Sequence, residues 1–223
     1  PIVPSALVAL GIVDRAVMRK VAFLFPGQGS AGRGAFLQFR ETVADFAHAL
    51  AGAGREGRAD YASRLWPESG LAETPDRDSV LQPATVALSL ALARLWLKLG
   101  IRPDAVAGHS LGFYSALAVS GALSETDALN LVTRRAECFD ALAPEAAGCL
   151  LALSADEDAV RELVARAPVM LHVSNVNSPS QTVVALRTPD LQAALRFFES
   201  AGVGSRLVPV GWAFHSPLVR PAA

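Results

Sequence analysis

Ala105-Val106-Ala107-Gly108-His109-Ser110-Leu111-Gly112 is the stretch on which the fold turns. Ala105-Val106-Ala107 predicts a short strand, and the Ala-rich segment from Gly112 to about Ser120 predicts a helix. Between them stands G-x-S-x-G. A serine on a strained strand-to-helix turn needs glycine on both sides, because a side chain there would clash. The helix that follows aims free N–H groups and its positive dipole end at the serine, which suits a developing oxyanion. A tight turn with a capping serine is the plainer alternative. Strand, tight turn and helix with a polar residue at the turn is the signature of an α/β protein.

Upstream, Val21-Ala22-Phe23-Leu24-Phe25 reads as a buried strand stopped by Pro26-Gly27, and residues 27–34 as a Gly-rich loop. Phe36, Phe39, Val43, Phe46, Ala47 and Leu50 recur at helical spacing. Residues 51–79 are irregular. Asp78 or Ser79 is placed to cap a helix over about Val80–Lys98, with Gly100 placed to end it. Downstream, Ser124 with Asp127 resembles a capping box ahead of a helix to about Leu142. From Gly148 the expected order is strand (149–153), helix (155–165), strand (169–173), strand (181–186), helix (189–201), strand (205–210). That β-α-β-β-α-β order is ferredoxin-like and predicts a small subdomain over 147–210. The larger α/β core is then expected over 18–146 and 211–223. Residues 1–17, ahead of Met18-Arg19-Lys20, are expected to be an upstream extension outside the fold.

The chain has 223 residues, 52% hydrophobic and 18% charged, which excludes disorder and allows one large domain with an insert. A net charge of −1 gives no basic field for nucleic acid or an anionic membrane. Thr85–Leu99 is apolar but carries Arg94 and Lys98, so it is not a membrane span. Cys138 and Cys149, the two cysteines, have no metal-ligand spacing around them and fit reduced thiols in a cytoplasmic protein.

A serine nucleophile needs a base. His215, in Ala213-Phe214-His215-Ser216-Pro217, follows a predicted strand in a loop and is the candidate. His48 lies on a predicted helix, His172 in a predicted strand, and His109 flanks Ser110 on the wrong side of the turn. A structural loop histidine is the alternative for His215. Phe25-Pro26-Gly27-Gln28-Gly29-Ser30 is either an amide-donating loop for an oxyanion or a simple Gly turn. It lacks the Gly-Lys-Ser/Thr of a P-loop and the glycine spacing of a dinucleotide fingerprint. Arg135 is suited to clamp a carboxylate bidentately, with Arg134 the solvated neighbour, although either residue is also readable as a surface charge.

Phe25-Pro26-Gly27-Gln28-Gly29-Ser30, Gln82-Pro83-Ala84, Gly108-His109-Ser110-Leu111-Gly112, Arg135, Asn177-Ser178-Pro179 and Phe214-His215-Ser216-Pro217-Leu218 occur in that order. Together they resemble the malonyl-CoA:acyl carrier protein transacylase family, which includes the acyltransferase domains of polyketide synthases. The resemblance spans about residues 19–223. It implies a hydrolase-like three-layer α/β core with a parallel sheet and an inserted ferredoxin-like subdomain. It also implies Ser110 as acylated nucleophile and His215 as general base, without a carboxylate behind the histidine. The N–H groups of Leu111 and Gln28 would form the oxyanion hole and Arg135 would hold the malonyl carboxylate, with Gln82 and Asn177 lining the site. The implied reaction is ping-pong: malonyl passes from CoA to Ser110 and then to the phosphopantetheine thiol of an acyl carrier protein, with no metal or redox cofactor. Ala213-Phe214 is similar to the malonyl-type sequence of the family, and the Phe214 ring would crowd an α-methyl branch, a preference worth about 1–3 kcal/mol.

There are two departures. Phe113 stands where a glutamate is common in stand-alone members, which blurs fatty-acid, polyketide and malonate-decarboxylase assignments. The family also continues well past His215, so the sequence is expected to be a C-terminally truncated piece. The competing functions are a serine acyl hydrolase of α/β-hydrolase or patatin type and a non-catalytic module that docks a carrier protein. The first expects Ser…Asp/Glu…His order and a histidine-bearing oxyanion loop and has no use for Arg135. The second is disfavoured by the presence of Ser110, Arg135 and His215 together.

Overall fold

The computed structural model describes residues 20–28, 78–142 and 147–222. The helix expected over 36–50 and the irregular stretch up to residue 77 lie outside them. The chain divides into two compact units, Pro1–Glu137 and Cys138–Ala223.

In the first unit, β1 (Ala22–Phe25) and β2 (Ala105–Gly108) form a parallel pair, with Ala22 opposite Ala105 and Phe25 opposite Gly108. The Val21 N–H donates to Asp104 Oδ2 at 2.7 Å and the Asp104 N–H to the Val21 carbonyl at 2.7 Å, which fixes this register at its start. The strand expected to be buried throughout alternates instead. Phe23 and Phe25 pack with Ala93, Val106 and Ala116, while Leu24 is exposed. Successive side chains of a strand point to opposite faces, and the described helices cover one.

Helix α1 (Asp78–Lys98) has Pro83 inside it. It ends as expected at Gly100, where the Ile101 N–H reaches the Trp96 carbonyl and the Gly100 N–H that of Leu97, each at 3.0 Å. Helix α2 (Gly112–Val119) follows β2. Helix α3 (Glu125–Asp140) begins at the expected cap: the Asp127 N–H donates to Ser124 Oγ at 3.0 Å and the Ser124 hydroxyl to Asp127 Oδ2 at 2.6 Å. Ala84, Leu88 and Ala91 of α1, Leu111 and Ala118 at α2, and Ala128 and Val132 of α3 make one core. The small alanines let the helices approach closely, and Arg94 of α1 is ion-paired with Glu125 of α3.

In the second unit, strands β3 (Gly148–Leu153), β4 (His172–Ser178), β5 (Gln181–Arg187) and β6 (Ser205–Val208) form an antiparallel sheet in the order β4-β5-β3-β6. Helices α4 (Glu157–Ala165) and α5 (Leu191–Ser200) bury Val160, Leu163, Ala194 and Phe198 against Leu151, Leu153, Val184 and Leu186. The other face holds Leu150, Ala152, Val183 and Ala185 beneath Phe139, Ala213 and Phe214. Burial on both faces explains why β3 and β5 read as unbroken apolar runs. The order of elements is the ferredoxin-like one expected. The second strand is displaced, however: it runs over His172–Ser178 rather than 169–173. An edge strand exposes many of its residues, so the polar sequence His172-Val173-Ser174-Asn175-Val176-Asn177 serves where an apolar run was sought.

Candidate functional site

The βα turn is built by backbone contact. The His109 N–H donates to the Phe25 carbonyl at 2.9 Å, seating the turn on the end of β1. A Cβ on Gly112 would collide with the Phe25 carbonyl, and one on Gly108 with the Gly112 carbonyl, so both glycines of G-x-S-x-G are required by space. Ser110 between them has φ +51°, a left-handed conformation that costs a non-glycine residue about 1–2 kcal/mol. The turn's own hydrogen bonds begin at Gly112, whose N–H reaches the His109 carbonyl at 2.9 Å, followed by Phe113 to Ser110 at 3.1 Å. The Leu111 N–H comes just ahead of them, at the positive end of α2, whose first turn has no acidic residue. Leu111 itself is buried.

The loop after β1 lies against this turn. A Cβ on Gly27 would sit 3.0 Å from His109 Nδ1 and 3.5 Å from Ser110 Cβ. Gln28 follows, and its side-chain amide donates to Asp78 Oδ1 at 2.5 Å, which anchors the loop to the start of α1. One turn further along α1, fully buried Gln82 accepts a hydrogen bond through Oε1 from Arg135 Nη1 of α3. Burial lowers the pKa of Arg135, and the charges of Tyr114 and Asp78 oppose that shift in part. An arginine remains a cation even so, and a cation with little water around it attracts a carboxylate strongly. Arg134, as expected, is exposed and paired with Glu137 at 2.9 Å.

In the second unit, His215 is exposed and has φ +58°. Phe214 is buried, its ring edge-on to Phe139 at 4.8 Å between centroids. The carbonyls on the two peptides before His215 are both held. The Ser216 hydroxyl donates to that of Ala213 at 2.6 Å, and Ser174 Oγ lies 3.0 Å from that of Phe214. Asn177 is exposed near the end of β4, and its amide donates to Gln181 Oε1 at 2.9 Å across the hairpin.

The first unit therefore brings Gln28, Gln82, Ser110, Leu111 and Arg135 onto the loops and helices around β1 and β2, while Asn177, Phe214 and His215 belong to the second. Sequence reasoning offered Asp78 or Ser79 as a helix cap and passed over Asp78 as the buried carboxylate that holds Gln28. It also passed over Ser174. Asp78 had a signal, an acid opening a helix just before Gln82. Ser174 had none apart from lying in a polar strand.

Residues 22–223 match the family model described as the acyl transferase domain. Pikromycin polyketide synthase component PikAII of Streptomyces venezuelae is 37% identical over 205 residues, covering 88% of this chain and 5% of that protein. The crystal structure of the acyltransferase domain from the second module of the salinomycin polyketide synthase superposes with a TM-score of 0.76 at 35% identity, covering 98% of this chain and 53% of that one. A type II polyketide synthase malonyl-transacylase, PlMCAT, solved with its holo acyl carrier protein AntF, superposes at 0.77 with 27% identity over 92% of this chain and 67% of that one. The chain thus spans a small fraction of the polyketide synthase it matches and about half to two-thirds of the solved acyltransferases. Among the described residues no helix is long and apolar enough to cross a membrane.

Proposed function

Since the chain belongs to the acyl transferase domain family, we propose that it moves a malonyl group from CoA to the phosphopantetheine thiol of an acyl carrier protein through an ester on Ser110. One observation carries the reading. Among the described residues the non-glycine residues with positive φ are Ser110 and His215, the two assigned as nucleophile and base. Strain of this kind persists where the surrounding structure over-determines it, and it concentrates at functional positions.

Ser110 Oγ attacks the malonyl thioester carbonyl while His215 takes its proton. The Leu111 and Gln28 N–H groups stabilise the oxyanion of the tetrahedral intermediate. Collapse expels the CoA sulfur, which receives the proton from His215, and leaves malonyl-Ser110. The carrier-protein thiol then attacks the ester, again with His215 as base, and Ser110 recovers its proton. Arg135, oriented by Gln82, pairs with the free malonyl carboxylate; a monocarboxylic acyl group would leave that cation without this partner. The Phe214 ring, fixed against Phe139, disfavours an α-methyl branch. Asn177 is retained as a site-lining residue. An acyl carrier protein as partner is supported by the likeness to PlMCAT, which was solved bound to one. A cytoplasmic setting is supported by two cysteines without a disulfide.

The test is intact mass after mixing with malonyl-CoA. The expected result is a malonyl-sized increment that is absent in Ser110→Ala. An increment surviving that substitution refutes the nucleophile. Rapid loss of the increment to water, with no transfer to carrier protein, favours an acyl hydrolase. No increment from any acyl-CoA favours a docking module.

A further inference from the structure

We infer that Ser174 is a positioning residue for His215, acting through the Phe214 carbonyl; the inference rests on the assignment of His215 as the base. In β4 the pairing with β5 runs His172 opposite Ala185 and Val173 opposite Val184, and then Asn175, not Ser174, opposite Val183. Ser174 is therefore the extra residue of a β-bulge. Val183 and Ala185 lie on the sheet face that carries Phe214, and Val184 lies on the face covered by α4 and α5. Residues directly opposite across a ladder share a face. In a regular strand Ser174 would face Phe214 and Asn175 would turn towards the helices. The bulge brings both to the Phe214 face.

Ser174 Oγ is 2.6 Å from Asn175 Oδ1 and 3.0 Å from the Phe214 carbonyl oxygen. A hydroxyl has one proton, and the Phe214 carbonyl has none to give. Both contacts are satisfied together when the Asn175 amide, turned end for end, donates Nδ2–H to Ser174 Oγ and the hydroxyl proton goes to the Phe214 carbonyl. That carbonyl belongs to the peptide joining Phe214 to His215, and the plane of that peptide fixes the φ of His215. The Ser216 hydroxyl holds the preceding peptide through the Ala213 carbonyl at 2.6 Å. Two serines thus clamp the approach to the left-handed residue. Ser174 reaches across from a different strand, so it ties the imidazole to the rigid four-stranded sheet rather than to its own loop.

The experiment compares the full chain with Ser174→Ala and Ser174→Thr in pre-steady-state acylation by malonyl-CoA. The same proteins are followed for Tm and for the three-bond HN–Hα coupling of His215, which reads φ without substrate. Ser174→Ala is expected to lower the saturating acylation rate about tenfold, the rate equivalent of one ordinary hydrogen bond, with the half-saturating malonyl-CoA concentration unchanged. The His215 coupling moves, and Ser174→Thr, which keeps the hydroxyl, restores both. Ser174→Cys, similar in size and a weaker donor, takes the place of the alanine variant should that fail to fold. An unchanged acylation rate overturns the inference. So does a loss that threonine does not rescue, or one confined to the half-saturating concentration. If the unsubstituted chain takes up no malonyl, the proposed function fails, and the coupling alone then decides whether Ser174 sets the His215 backbone.

Discussion

Replacing Ser110 by glycine and by alanine separates strain from chemistry. Both variants lack the hydroxyl, so both are expected to lose malonyl transfer. Their stabilities differ in a sign fixed by the backbone. At φ +51° an alanine retains the left-handed penalty of about 1–2 kcal/mol, and glycine removes it. Glycine in turn loses about 0.5–1 kcal/mol more conformational freedom on folding. Ser110→Gly should therefore be more stable than Ser110→Ala by roughly 0.7 kcal/mol, which is about 2 °C in Tm for a chain of this length. At a residue with ordinary φ the order reverses, with glycine below alanine by about 0.5–1 kcal/mol. His215, at φ +58° and exposed, offers the same comparison with little packing to disturb. Thermal melts followed by circular dichroism read the pairs side by side. Glycine variants that melt below their alanine partners at both positions would refute the claim that the two residues are held in strained conformations.

Arg135→Ala should lower kcat/KM for malonyl-CoA about ten- to a hundredfold, the worth of a charge-assisted hydrogen bond, while acetyl transfer holds or rises; equal losses for both acyl groups would remove the carboxylate clamp. Gly112→Ala forces a methyl into the Phe25 carbonyl, so acylation of Ser110 should collapse and stability fall by about 1–3 kcal/mol, read by intact mass and denaturation together. Thiol titration with a disulfide reagent should find Cys138 fast, because it is exposed, and Cys149 slow until the chain unfolds. Burial raises the Cys149 pKa above its ordinary 9.0, so the unfolded chain ionises first. The stability contribution from Cys149 is then complete below pH 9.0 and declines as pH rises from there towards the folded value; denaturation of Cys149→Ala should lack that decline.

Periodicity and turn chemistry made much of the fold legible. The Ser124–Asp127 cap, the stop at Gly100 and the apolar runs of β3 and β5 each carry a local signal, and each is found close to where it was expected. The site was legible in its residue types for the same reason: glycines around Ser110 announce a backbone with no room for side chains. Strand β4 was misplaced because its residues answer to a sheet edge and a bulge, and neither leaves an apolar pattern.

The sequence by itself determined which functional groups the proposed chemistry can draw on, a serine hydroxyl on a tight turn, a histidine in a loop and an arginine, because functional groups are properties of residues. Only the tertiary structure decided how they are held. That Asp78 anchors Gln28, that Gln82 receives Arg135, and that Ser174 reaches the Phe214 carbonyl all join residues 40 or more positions apart. Such pairings arise from the packing of elements against one another, and no local pattern in a chain encodes them.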